Sequence, residues 1–253
     1  MSAKVCFVTG SGRRIGASII KKFASEGYSV LIHVSNSVEA GESLKSELIE
    51  SGAQADLLQA DLTDENQTQG MIEAITQHPF VKQRNGLDVL VHNASVYSQK
   101  PIEELSMETM RFLNRLHIEA PLQLSQGLIS LLSSVNGSIV ALTDTSAGKA
   151  WDQLSHYTSS KAGLRQLMLN LAGEYAPKVR VNCVAPGAIL SADWEHEHFS
   201  KIIRSIPLKR SGDVEDVSNA VYFFANSPYL TGQELFVDGC LLYTSDAADD
   251  TCC

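Results

Sequence analysis

Tyr157 and Lys161 stand four residues apart at the end of a run that begins at Asp144 and reads DTSAGKAWDQLSHYTSSK. If the chain is helical from Ser155 onward, as HYTSSKAGLRQLMLNLAGEY suggests, that spacing stacks both side chains on one helix face. A free phenol has a pKa of about 10 and rarely exchanges its proton at neutral pH. An ammonium held beside it favours the phenolate, which makes the phenol a usable acid. Tyr-x-x-x-Lys also describes one face of an ordinary helix, so its meaning depends on what the rest of the chain brings to it.

The elements that must position the pair alternate between short apolar runs and helical periods. Lys4 to Val8 is a strand-sized run followed by TGSGRRIG and a helical pattern through Glu26. A buried strand, a glycine-bearing turn and a helix N-terminus make a pyrophosphate cradle. Gly10 and Gly12 allow the tight turn, Gly16 permits close helix packing, and Ser11 and Ile15 flank them. The second strand, Tyr28 to Val34, ends in HVSNS, so no carboxylate stands where an NAD-binding protein usually bonds the ribose diol. His33, Ser35 and Ser37 occupy that place, and Arg13 and Arg14 sit in the glycine turn near where a 2′-phosphate would project. Missing acid and present guanidinium point to NADP(H); the plain alternative is that Arg13 is a solvated side chain.

Further along, Val38 to Ser51 reads as a helix and Ala55 to Ala60 as a third strand ending at Asp61-Leu62. Asp61 could accept from the adenine amino group or cap the helix beginning near Asp64. After the loop PFVKQRNG, the strand Leu87 to Val91 runs into HNAS, which places Asn93, Ala94 and Ser95 at a strand C-terminus, where open parallel sheets bind ligands. Glu103 to Leu132 is helical with Pro121 inside it, which must kink or divide it. Ser138 to Leu142 delivers Asp144 to the same edge, Val179 to Val184 delivers Pro186 and Gly187, Asp213 to Ala225 is a helix and Glu234 to Val237 a last strand. Alternation without repeats or a linker predicts an α/β fold: one Rossmann-like, doubly wound parallel sheet of about seven strands, with helices on both faces.

Composition agrees with a single large domain. The chain has 253 residues, 44% hydrophobic and 19% charged, which suffices for a substantial core. A net charge of −9 with no basic block argues against nucleic acid, and the longest apolar runs are too short for a membrane span. The opening MSAKVCFVTG enters a strand directly, which reads as cytosolic. From Cys240 the text CLLYTSDAADDTCC loses all periodicity and resembles a translated sequencing adapter, so the domain is taken as 1–239 and 240–253 as a non-native tail. Setting aside Asp246, Asp249 and Asp250 brings the net charge of −9 to −6. Cys6 and Cys183 then remain, each inside a strand-like run, as buried thiols in a reducing compartment.

TGSGRRIG, Asp61-Leu62-Thr63, HNAS, Asp144 with Tyr157-x-x-x-Lys161, and RVNCVAPG occur in this order over Lys4 to Gly239, and together they resemble the short-chain dehydrogenase/reductase family. The resemblance implies a Tyr157 acid, a Lys161 that lowers its pKa and grips the nicotinamide ribose, and hydride transfer from the nicotinamide. Three departures narrow the branch. Arg14 replaces the usual middle glycine, Asp144 stands where most members carry a substrate-orienting serine, and Ser95 replaces a glycine. Together they are similar to pteridine reductases, and more closely to bacterial dihydromonapterin reductases, as are HNASVYSQKP, HIEAP and KVRVNCVAPGAIL.

The aspartate can be weighed physically. Carbonyl reduction builds an alkoxide, and a carboxylate about 4 Å away would oppose it by about 4 kcal/mol at an effective dielectric near 20. A C=N bond gains a proton on nitrogen instead, so a protonated Asp144 could supply it beside Tyr157 and an ionised one could accept from ring N–H groups. Asp144 could also merely cap the next turn, with Thr143, Thr145 or Ser146 supplying a hydroxyl in its place. The resemblance places Tyr97 as an aromatic stacked on a pterin, although it could pack under its own loop, and lets Ser95 bond the pterin edge or a cofactor phosphate. His117 falls where the wider family has an asparagine that holds a water relay to the lysine; Asn114 competes for that role, and a buried structural histidine is the plain alternative. Ala188 to Ser200, with Trp194, His196 and His198, is expected to cover the substrate, and two histidines with only an acid between them do not make a metal site.

The expectation is an NADPH-dependent reductase of 7,8-dihydropterins such as dihydromonapterin, with a small-molecule pterin substrate and a homotetrameric or homodimeric assembly. A carbonyl reductase acting on 3-oxoacyl or quinone substrates, and a catalytically idle NADP(H)-binding regulator, are the alternatives.

Overall fold

Each apolar run becomes a strand of one sheet: β1 (Val5–Val8), β2 (Ser29–Val34), β3 (Ala55–Gln59), β4 (Val89–His92), β5 (Ser138–Leu142), β6 (Arg180–Pro186) and β7 (Glu234–Val237). The computed structural model describes residues 2–148, 150–191 and 196–243, the side chains of 196–198 excepted. All pairings are parallel, in the order β3-β2-β1-β4-β5-β6-β7. The helices are α1 (Arg14–Ser25), α2 (Val38–Glu50), α3 (Glu65–Gln77), α4 (Pro79–Arg84), α5 (Met107–Asn114), α6 (Ala120–Ser134), α7 (Ser155–Tyr175), α8 (His196–Ser205) and α9 (Val214–Asn226).

The runs are continuously apolar because side chains alternate between two faces that are both covered. In β1, Val5 and Phe7 join one core with Ile72 of α3, Leu128 of α6 and Met168 of α7. Cys6 and Val8 join the opposite core with Ile20 of α1, Leu44 of α2 and Val221 of α9. Cys6 and Cys183 are buried free thiols, as expected, and burial pushes the Cys183 thiol up to about 12. No helix among the described residues is long and apolar enough to cross a membrane.

Three local readings change. PFVKQRNG, expected as a loop, contains α4: Pro79 takes an early helix position where its missing N–H costs nothing, and Asn85 closes the helix at φ 57°. Part of the expected 188–200 loop is α8; Trp194 and the side chains of His196 and His198 lie outside the described residues. The long helix is divided, as Pro121 requires, but by a widened π turn, Arg115–Glu119, placed just ahead of the proline. An α-helix would aim the Pro121 nitrogen at the His117 carbonyl, where the ring collides and no hydrogen can be given. One wider turn relieves both conflicts.

Packing continues past Gly239. Leu241 is buried, and Leu242 N–H donates to the Asp238 carboxylate at 2.8 Å. The readings made for 244–253 lie outside the described residues.

Candidate active site

In this strand order the winding reverses between β1 and β4, and the crevice outside the carboxyl ends of the strands at that point is where such sheets bind ligands. A cleft of about 730 Å³ opens there. Its dinucleotide end is set by the turn from β1 into α1. Gly10 has φ +62°, and a Cβ there would come 2.9 Å from the Ala94 backbone, so only glycine lets this turn lie against the end of β4. Gly16 is closer still, since its Cβ would run into the Gly10 carbonyl oxygen. Asn93 ties the two strand ends together, its amide donating to the Thr9 and Gly10 carbonyls at 2.9 Å each. Thr9 was not singled out from the sequence, yet its hydroxyl accepts from both the Asn93 and Ala94 backbone N–H groups.

Of the residues expected on the cofactor, Gly10, Arg13, Arg14, Ile15, Gly16, His33, Ser35, Ser37, Asp61, Leu62, Asn93, Ala94, Ser95, Tyr157, Lys161, Pro186 and Gly187 all line this cleft. Ser11 does not line it. The Ser11 side chain is buried, donating to the Val8 carbonyl at 2.8 Å and accepting the His33 N–H at 3.0 Å, so it braces the turn from behind. His33 reaches the wall of the cleft with both ring nitrogens already committed. Its Nδ1 accepts from Gly10 N–H at 2.9 Å, which leaves Nε2 to donate to the Ala60 carbonyl at 3.1 Å. Burial pushes His33 down to about 4, so it stays neutral and keeps this pattern. Asp61 does not cap α3. That carboxylate closes on Thr63, while Asp64 accepts from the Asn66 and Gln67 N–H groups.

The cleft suits a dinucleotide. The α1 N-terminus and glycine turn supply backbone N–H groups, and no carboxylate ends β2. Arg13 and Arg14 are both exposed at the rim. Arg14 is held in the left-handed region at φ 55°, with its guanidinium donating to the Leu190 carbonyl at 3.4 Å. It thus ties the glycine turn to the segment expected to cover the substrate.

At the other end, β5 and α7 bring Asp144 and Tyr157 together. The phenol donates to Asp144 Oδ2 at 2.7 Å, while Asp144 Oδ1 accepts Ser146 N–H at 2.8 Å. Both oxygens act as acceptors, which is the pattern of a carboxylate. The neighbouring hydroxyls are turned elsewhere. Thr143 donates to Glu234 at 2.8 Å and Thr145 to the Pro186 carbonyl at 2.9 Å, so Asp144 alone of these faces the phenol.

Lys161 is buried, and its ammonium donates to the Leu142 carbonyl at 2.8 Å and stands 5.8 Å from the centroid of the Tyr157 ring. Burial pushes it down to about 8. The sequence-based expectation that Lys161 draws the phenol towards phenolate is therefore corrected. Burial, then the Asp144 charge and hydrogen bond, hold Tyr157 well above the usual phenol range. The carboxylate touches the phenol oxygen, whereas the ammonium gives a hydrogen to the Leu142 carbonyl and stands 5.8 Å from the ring centroid.

His117, on the π turn, does not line the cleft but stands behind it. Its Nδ1 lies 2.8 Å from Ser160 Oγ and its Nε2 lies 3.0 Å from Ser95 Oγ. Ser160 already gives its only hydrogen to the Tyr157 carbonyl at 2.7 Å, so it must accept from His117. That fixes the proton on Nδ1 and leaves Nε2 to accept from Ser95. Burial, aided by Lys161, pushes His117 down to about 2, so it carries no second proton. His117 thus joins Ser160 to Ser95 from behind the cleft. Ser160 has no sequence signal for this role. Tyr97 meets the Tyr157 ring edge-on at 5.0 Å and lines the cleft with Trp151, which the sequence did not single out.

A family profile described as enoyl-(acyl carrier protein) reductase matches residues 10–241. The chain belongs to the short-chain dehydrogenase/reductase family. Within that family it is similar to the 3-oxoacyl-[acyl-carrier-protein] reductase of Synechocystis, at 28% identity over 94% of this chain and 97% of the relative. It is also similar to the solved FolM alternative dihydrofolate reductase 1 of Brucella canis, complexed with NADP. That likeness has 29% identity, covers 94% of each chain and has a TM-score of 0.86. A blue fluorescent protein from a metagenomic library, solved with NADPH, has 27% identity over 94% of this chain and 97% of that one, with a TM-score of 0.86. The short-chain reductase fold, and an oxidoreductase built on it, therefore follow for this protein.

Proposed function

We propose that this short-chain reductase uses NADPH to reduce the C=N bond of 7,8-dihydropterins to tetrahydropterins. The observation that carries the reading is the 2.7 Å bond from the Tyr157 phenol to the Asp144 carboxylate. An alkoxide forming beside Tyr157 would meet that negative charge, at a cost of about 4 kcal/mol at 4 Å and an effective dielectric near 20, about a thousandfold in rate. An imine nitrogen takes on positive character as it is protonated, so the same carboxylate favours it. Asp144 also presents acceptors to ring N–H and amino groups, which a pterin has and a 3-oxoacyl chain lacks. The likeness to an alternative dihydrofolate reductase supports the same substrate class.

When bound, NADPH supplies the hydride, which in this reading goes to C6. N5 is protonated through Tyr157 and Asp144: the carboxyl takes a proton from solvent and passes it to the phenol oxygen as the phenol hydrogen goes to N5, so that no phenolate stands beside a carboxylate. Asp144 orients the phenol and the ring, Lys161 holds the nicotinamide ribose, Tyr97 stacks on the ring and Ser95 bonds its edge. Arg13 and Arg14 hold cofactor phosphate, and the absence of an acid after β2 favours NADPH over NADH. The solved neighbours holding NADP or NADPH support this choice.

A second reading, reduction of a 3-oxoacyl thioester, is favoured by the named activity of the Synechocystis relative. NADPH consumption measured with 7,8-dihydromonapterin and with an acetoacetyl thioester separates the two. Pterin turnover alone supports the proposal; thioester turnover alone refutes it, and NADPH binding with neither substrate consumed points to a regulator.

A further inference from the structure

Three consecutive residues at the end of β5 are each tied to α7. The Leu142 carbonyl accepts from Lys161 at 2.8 Å, and the Asp144 carboxylate accepts from Tyr157 at 2.7 Å. Between them, Thr143 reaches the helix through a third element. Its hydroxyl donates to Glu234 Oε1 at 2.8 Å, and Glu234 Oε2 accepts from Arg165 Nε. Tyr157, Lys161 and Arg165 follow one another at four-residue intervals, so they share one face of α7. Glu234 belongs to β7 and is in register with Cys183 of β6, so its side chain crosses a whole strand to meet Thr143. That side chain is only 8% exposed. A buried carboxylate is costly unless its oxygens are answered, and here a hydroxyl answers one and a guanidinium the other. The Val184 carbonyl, 3.2 Å from the Thr143 hydroxyl, already accepts the Thr143 N–H at 2.9 Å, so the hydroxyl hydrogen goes to the nearer, charged acceptor. Neither Glu234 nor Arg165 lines the cleft, and the chemistry described above uses neither.

We propose that Glu234 is a positioning residue: by bridging Thr143 to Arg165 it fixes the end of β5 against α7 and so holds the Asp144 carboxylate on the Tyr157 phenol. The contacts form a closed ring. It runs from Asp144 to Tyr157, along α7 to Arg165, across to Glu234 and Thr143, and back through one peptide bond to Asp144. Thr143 is the residue next to Asp144, so opening the ring there frees the carboxylate to retreat from the phenol. The consequence for catalysis rests on the proposed reaction, in which Tyr157 and Asp144 pass the proton; the placement itself is measurable without substrate.

The test uses Glu234→Gln, Arg165→Met and Thr143→Val, which open the ring at three points while removing a negative charge, a positive charge and no charge. A glutamine has one acceptor oxygen where the carboxylate has two, so one arm of the bridge is lost. In protein labelled with carbon-13 at the tyrosine Cζ, the Tyr157 resonance is identified by its loss in Tyr157→Phe. It should shift in all three variants towards its position in Asp144→Ala. A direct effect of charge would move it in opposite directions in Glu234→Gln and Arg165→Met and leave it in place in Thr143→Val. That pattern, or an unmoved resonance, would overturn the proposal. With whichever substrate the wild type consumes, kcat should fall about tenfold in each variant while KM stays within about twofold, because small displacements at reacting groups are costly. In the Asp144→Ala background the same substitutions should change kcat by less than about twofold. Equal losses in both backgrounds would mean that the ring only supports the fold, and would overturn the role. If one variant fails to fold by thermal melting, the other two decide. Wild-type turnover of no pterin refutes the pterin reading and leaves the resonance test standing.

Discussion

Replacing Asp144 by asparagine isolates the charge on which the proposed chemistry turns. The amide keeps an oxygen able to accept from the phenol, so shape and hydrogen bond are nearly preserved while the negative charge goes. In the native site the phenol oxygen and Asp144 Oδ2 are 2.7 Å apart. Two unit charges at that distance repel by about 6 kcal/mol at an effective dielectric near 20, equivalent to about four pH units on the ionisation of Tyr157. Burial of the phenol remains in the variant and still opposes ionisation. The expected result is a fall of about two pH units or more in the Tyr157 titration, read from near-ultraviolet phenolate absorbance after subtraction of the matching Tyr157→Phe protein. Dihydropterin turnover should fall in the same variant, while ketone turnover should hold or rise. A Tyr157 titration that does not move would refute the claim that Asp144 controls the phenol, and an unchanged substrate preference would refute its role in selecting C=N bonds.

Other perturbations test separate parts of the site. Burial pushes Lys161 down to about 8, so its ammonium is present below that pH and lost above it; kcat/KM should fall as pH rises through about 8, and a profile flat to pH 10 would contradict this. The same depression means that the unfolded chain holds this proton between about pH 8 and 10.5 when the folded one does not. Stability should therefore rise with pH across that window by about 3 kcal/mol more in the wild type than in Lys161→Met, as denaturant titration would show. Arg13→Ala should cut the preference for NADPH over NADH by about tenfold or more, measured as the ratio of kcat/KM values, and an unaltered ratio would discard the phosphate contact. Gly10→Ala should lower the thermal midpoint more than Gly52→Ala. Both have positive φ, but the Gly10 Cβ would come 2.9 Å from the Ala94 backbone while Gly52 faces open space. The left-handed cost is about 1–2 kcal/mol at each position, and equal shifts would mean that the turn yields freely.

The sheet was legible because its strands are buried on both faces, which makes each one a continuous apolar run. Ser138–Leu142 and Glu234–Val237 match their expected bounds. The α4 segment was hidden because Pro79 and Gly86 bracket a stretch too short to show helical periodicity, and proline at a helix start looks like a loop in text. In the site, the turn residues were legible because glycine is required by backbone geometry that a sequence records. The electrostatic balance at Tyr157 was not. A four-residue spacing shows that Lys161 shares its helix face, but not that a carbonyl of β5 would occupy its ammonium. The bracing of Ser95 by His117 and Ser160 joins three elements, and nothing local in the sequence encodes it.

That bracing links a defect in one helix to the polarity of the cleft. Pro121 cannot continue an α-helix through His117 without a clash, and the π turn Arg115–Glu119 that relieves it carries His117. Such widened turns are frequent at functional sites. Here the ring lies between Ser160 and Ser95, and Ser160 fixes which nitrogen bears the proton. Because Nε2 must then accept, the single hydrogen of Ser95 is committed to His117. Ser95 and Asp144 both stand within hydrogen-bonding reach of the Tyr157 phenol, whose own proton goes to the carboxylate. An acid held against a carboxylate suits a ring edge rich in N–H groups and opposes a lone carbonyl oxygen. The helix irregularity therefore holds Ser95, in the loop after β4, beside the same phenol and carboxylate on which the proposed substrate chemistry turns.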